Sequence, residues 1–144
     1  MKRFKFSLEK IMELRKFREE ESKLALGQSI SALNAIENKI KETAYKHSAA
    51  AKERFSSHDD ITYYDLYILR LEHEARKLTE QAAQAQIVVE EKRTAYLEAS
   101  KDLKAVEKLK ENQLKEYRKE MFIAQMNEVD DITAARLIAG SGSL

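Results

Sequence analysis

Cysteine, proline and tryptophan are absent from the 144 residues, and glycine occurs three times, twice within the last five positions. Each absence excludes something. Without cysteine there is neither a disulfide framework nor a thiolate zinc site, and the composition fits a reducing cytoplasm. A sandwich or an α/β fold needs frequent turns built with glycine or proline, and this chain has almost none to supply. Long apolar runs are missing too. The longest uncharged stretch, Leu24 to Ile36, is interrupted by Gln28, Ser29, Ser31 and Asn34 and falls short of the ~18 to 20 apolar residues that span a bilayer. Near the amino end Lys2, Arg3 and Lys5 are followed by Glu9 and Lys10, where a secretory signal would carry its apolar segment.

Charge is plentiful but balanced. Charged residues make up 35% of the chain, and 26 basic against 25 acidic side chains leave a net +1. With 43% apolar residues beside them, this is the composition of long helices or a coiled coil and not of a solvated, disordered chain.

Ser7 has the character of a helix N-cap, Glu9 complements the positive end of a helix, and Phe6 with Ile11 occupies the spacing of a hydrophobic staple, so a first helix is expected from Leu8. It continues to about residue 55. Ile11, Leu14, Phe17 and Leu24 form an early apolar stripe, and Leu26, Ile30, Leu33, Ile36, Ile40, Ala44, His47 and Ala51 a later one. The two do not share one heptad phase, which predicts a stutter near Leu24 to Gly27.

Ser57, Asp59, Asp60 and Thr62 favour caps and turns, and Thr62 with Asp65 resembles a capping box, so the single turn is expected over about 56–61. A second helix then runs over about 62–137. Steps of four and three from Tyr64 reach Ile68, Leu71, Ala75, Leu78, Ala82, Ala85, Val89, Lys92, Tyr96, Ala99, Leu103, Val106, Lys110, Gln113, Tyr117 and Glu120, a heptad seam of mostly apolar residues. The expected fold is all-α: a long antiparallel two-helix coiled-coil hairpin over 1–139, with 140–144 as a flexible tail. Leu8 falls roughly opposite Leu109, and about 47 residues of each arm pair, a length of roughly 70 Å.

The first arm runs out while the second continues. Met121, Phe122, Ile123, Met126, Val129, Ile132 and Ala135 follow at helical spacing with no intramolecular partner, so they are either a partner surface or a frayed end. Residues 1–18 carry seven basic and two acidic side chains, and 101–120 seven and five, so the open end of the hairpin is basic and suited to an acidic partner.

Chemistry-bearing patterns are sparse. His47, His58 and His73 are dispersed and none lies three residues after a glutamate, so the Glu-x-x-His pair of di-iron bundles is missing; there is no zinc-protease or phosphate-loop motif. No catalytic residue, cofactor site or metal site is expected. Glu19, Glu20 and Glu21 point to different faces of a helix and read as a solvated face paired to Arg15, Lys16 or Lys23. Tyr63, Tyr64 and Tyr67 form the main aromatic cluster; Tyr64 belongs to the seam, while Tyr63 and Tyr67 are either loop packing or a contact surface. The basic amino-terminal stretch lacks a nucleic-acid module, and the first arm has no apolar face left for a membrane surface.

The opening Phe4-x-Phe6-x-Leu8-Glu9-x-Ile11-Met12-x-Leu14-Arg15, followed by an acidic run and a Leu/Ala-rich helix, resembles the amino-terminal signature of the FliJ family of the bacterial flagellar type III export apparatus. The ending Asn127-Glu128-Val129-Asp130-Asp131-Ile132-x-x-Ala135-Arg136 is similar to that family's acidic carboxy-terminal segment. The resemblance implies an antiparallel coiled coil similar to the central stalk of rotary ATPases, a non-enzymatic adaptor bound to the hexameric export ATPase. It also implies contacts with the cytoplasmic domain of the export gate and with export chaperones. On this chain the ATPase-binding regions would fall on Phe4 to Arg18, with Phe4, Phe6, Leu8, Arg15 and Arg18, and on Met121, Phe122, Met126, Val129 and Ile132; the gate contact would fall on Tyr67 and Leu71. The implied molecule is a cytoplasmic monomer held peripherally at the inner-membrane export apparatus, with no nucleic acid and no direct membrane insertion. The rival expectation is a self-associating coiled-coil scaffold or chaperone without an ATPase.

Overall fold

A computed structural model describes residues 3–56 and 61–141 and contains two helices, α1 (Glu9–Ser56) and α2 (Ile61–Ser141), packed against each other with no strand among the described residues. The fold is a helical hairpin, as the composition and the seam predict. The expected turn lies mostly at Ser57, His58, Asp59 and Asp60, which fall outside the described residues, as do Gly142, Ser143 and Leu144. Helix α2 reaches Ser141, so Gly140 stands inside it and not in a tail.

The chain divides into two compact units, a terminal unit of Met1–Lys16 with Lys101–Leu144 and a central unit of Phe17–Ser100. In the central unit the antiparallel register is marked by Arg54 Nε donating to Asp65 Oδ1 and by His47 Nε2 lying 3.3 Å from Glu72 Oε1. Leu33, Ala50, Leu71, Leu78 and Val89 are buried between the helices together with Thr43. In the terminal unit Glu9 meets Lys110 at 3.0 Å and the Arg15 guanidinium donates to the Asp102 carbonyl at 2.9 Å. The core there is Phe6, Met12 and Val106, flanked by Phe4, Leu8 and Leu103. A two-helix seam encloses little, and among the described residues no side chain is completely withdrawn from solvent.

The helix start differs from the expected one. The first helical acceptor is the Leu8 carbonyl, bonded by the Met12 amide at 2.9 Å, so Leu8 and not Ser7 is the N-cap. The staple is replaced as well: Ile11 is exposed, and Phe6 packs on Met12 and Val106, because the seam between the helices offers it more apolar area than Ile11 alone does. At the other arm Thr62 lies within α2, and the Asp65 carboxylate is taken by Arg54, so it does not close a capping box.

The larger correction concerns the face of α1. Leu8 just before it and its less exposed positions Met12, Arg15, Glu19, Ser22, Leu26, Ser29, Leu33, Ile36, Ile40, Thr43, His47, Ala50 and Arg54 follow one unbroken heptad phase without a stutter, with Glu9, Ala25 and the expected Ala51 also partly covered beside it. Ile11, Leu14, Phe17 and Leu24 are exposed, and so are Ile30 and Ala44. Polar residues occupy the seam at 15, 19, 22 and 29, so a stripe drawn through apolar residues alone follows the wrong side of the helix. Along α2 the expected seam holds except at Lys92, Gln113 and Glu120, which are exposed. Near the end the buried stripe advances to Leu114, Tyr117 and Met121, since a straight helix drifts against a strict seven-residue repeat.

Candidate partner-docking surfaces

The terminal unit presents two kinds of surface. Residues 3–6 precede the helix and lie along α2: the Phe4 ring packs on Tyr117 with centroids 5.4 Å apart, and the Lys110 ammonium stands 5.9 Å over the Phe6 ring while pairing with Glu9. This ordered edge carries Arg3 and Lys5, both exposed, beside the half-buried Phe4. Beyond Met121, which is half-buried, every described side chain of α2 as far as Gly140 is exposed. Phe122, Ile123, Met126, Val129 and Ile132 recur there at helical spacing, each roughly half open to solvent or more.

The central unit adds an aromatic patch. Tyr63 meets Tyr64 edge-on at 5.6 Å and stacks parallel to Tyr67 at 6.4 Å. The three border a shallow groove completed from α1 by Tyr45, Lys46, Ala49 and Glu53. Tyr45 escapes a reading based on clusters in the sequence; the antiparallel register, which brings the last turns of α1 alongside the first turns of α2, is the signal that finds it.

The sequence-derived candidates therefore divide by accessibility. Arg18, Phe122, Met126, Val129 and Ile132 are exposed; Phe4, Leu8, Arg15, Tyr67 and Met121 are half-buried; Phe6 and Leu71 are buried in the chain's own packing. Arg15 is tied to the Asp102 carbonyl, so its charge is partly engaged across the hairpin. Lys110, read from the sequence only as a polar interruption of the seam, holds both Glu9 and Phe6.

Among the described residues no three His, Asp or Glu side chains gather as a metal site, and no helix is long and apolar enough to cross a membrane. The surfaces are convex faces and shallow grooves, suited to protein contact. No curated protein and no solved structure matches the chain significantly. A family model described as "Flagellar FliJ protein" matches residues 4–142, spanning the amino-terminal edge, both helices and the exposed stripe. The chain belongs to the flagellar FliJ protein family and is a flagellar export-related protein.

Proposed function

We propose that this protein is a non-enzymatic stalk and adaptor of flagellar protein export, docking on the hexameric export ATPase and coupling it to the export gate and to export chaperones. The observation that carries this reading is the stretch of α2 that outlasts α1. Phe122, Ile123, Met126, Val129 and Ile132 place apolar area in water over three turns of a helix, and a soluble chain gains by covering such a face with a partner. Arg3 and Lys5, on the amino-terminal edge of the same unit, supply positive charge, which favours an acidic partner surface and speeds encounter. Phe6 and Leu8 serve this docking by fixing the amino-terminal edge, not by touching the partner.

For the gate, the accessible candidate is the Tyr63 and Tyr67 pair with Tyr45; Leu71, one turn further along α2, is buried. Tyrosine suits an interface because it offers a large, stiff contact area with a polar end. Cytoplasmic placement at the inner-membrane apparatus follows from such partners. The test is Phe122→Glu combined with Met126→Glu. The double variant retains its helix content by circular dichroism and loses ring binding in a pull-down together with stimulation of ATP hydrolysis; unchanged stimulation would remove the stripe from the docking surface.

A further inference from the structure

Near the start of the central unit, α1 leaves two large apolar side chains in water while three polar ones take seam positions. Phe17 and Leu24 are 62% and 64% exposed, whereas Glu19, Ser22 and Ser29 hold half-buried positions toward α2. Phe17, Glu20, Glu21 and Leu24 line one shallow groove, and Glu20, Lys23, Leu24 and Gly27 border the next, so the two join into one furrow along the helix. Glycine is among the least favourable residues in a helix interior. A Cβ added at Gly27 would meet nothing within 4 Å, so no packing inside this chain calls for the missing side chain.

We propose that this furrow is a self-complementary surface on which a second copy of the chain docks, α1 against α1 and antiparallel, with Phe17 of each copy seated in the gap beside Gly27 of the other. Charge and shape select that occupant together. A closed dimer has an isologous interface, in which each contact occurs twice. A two-fold axis near position 22 sets Glu20 of one copy beside Lys23 of the second copy, and Phe17 over the turn from Leu24 to Gly27. Glu20, Lys23 and Gly27 share one flank of the apolar stripe, and an antiparallel pairing brings like flank against like flank, so opposite charges meet. A parallel pairing would bring unlike flanks together, so that Glu20 and Lys23 of the two copies would not meet, and would set Phe17 on Phe17 and leave the gap empty.

The contact is one helix face about four turns long and buries less than the ~800 Å² per partner of a standard interface. The dimer is accordingly weak, with Kd on the order of 100 μM. It uses no residue of the carboxy-terminal stripe and does not depend on the export role proposed above.

Sedimentation equilibrium of the full chain from about 10 μM to about 1 mM tests it. A reversible monomer–dimer equilibrium is expected. Leu24→Glu, Glu20→Lys and Gly27→Leu, which fills the gap, each raise Kd about tenfold or more, while Glu20→Lys with Lys23→Glu in the same chain returns it to within about threefold of the parent. Circular dichroism shows each variant still helical, as these side chains lie outside the seam. A monomer at about 1 mM, or a dimer indifferent to Leu24→Glu, overturns the proposal. So does failure of the double reversal to restore association, or a dimer abolished by Phe122→Glu, which would move self-association to the carboxy-terminal stripe.

Discussion

At the scale of single residues, chemistry and burial often point in different directions along this chain. Arg15 and Glu19 sit half-buried toward α2 while Phe17, between them, faces water. Arginine and glutamate tolerate this because their aliphatic stems lie along apolar surface while the charged ends reach out or find a carbonyl, as Arg15 does at Asp102. Gly27 is the clearest single-residue liability. With nothing within 4 Å of an added Cβ, Gly27→Ala raises the unfolding free energy of the monomer by about 1 kcal/mol, read from urea denaturation at low protein concentration. Pairings that depend on a neighbour in the same helix, such as Phe6 with Ile11, are readable from spacing alone. Phe6 nonetheless chooses Met12 and Val106, because a partner about a hundred residues away along the chain removes more apolar surface from water.

At the scale of the elements, the second helix was largely legible and the first only in part. Along α2 most of the seam is apolar, so a four-three step recovers it from Tyr64 to Val89 without error and fails only where Lys92, Gln113 and Glu120 turn to solvent. Along α1 the seam is diluted with Ser22, Ser29 and Thr43, which carry no apolar signal, and the outward Phe17 and Leu24 carry a strong one. The structure assigns the phase by geometry: whatever lies at a and d faces the partner, polar or not. Exchanging residue classes checks this. Ser22→Leu, at a half-buried seam position, stabilises the hairpin by roughly 1 kcal/mol, whereas Leu24→Ser, on the outward face, leaves it within about 0.5 kcal/mol. If the apolar stripe were the true seam, the two effects would be interchanged, with Leu24→Ser costing about 2 kcal/mol or more in thermal or urea unfolding.

At the scale of the whole molecule, the two helices are unequal, 48 residues against 81, and the surplus belongs to α2. Helix whose side chains stay exposed contributes little to cooperative stability, since most helical stability in proteins comes from packing one face. Ending the chain after Met121 therefore lowers the total helical signal but leaves the melting midpoint within about 2 °C of the parent, while ring binding disappears. A large fall in the midpoint would mean that the stripe packs on its own chain.

Composition and periodicity alone determined that this is a helical hairpin with one reversal and an overhanging second helix, because the absence of turn-formers and the sustained four-three repeat leave few other ways to bury the apolar residues. The opening and closing motifs likewise carried the resemblance that the family match bears out. Only the tertiary structure decided which face of α1 meets its partner, that Phe6 is interior while Phe17 and Leu24 are not, and that Tyr45 joins the tyrosines of α2. Those are questions of register between segments distant in sequence, and a one-residue change in phase turns every side chain of a helix by about 100° without altering composition at all.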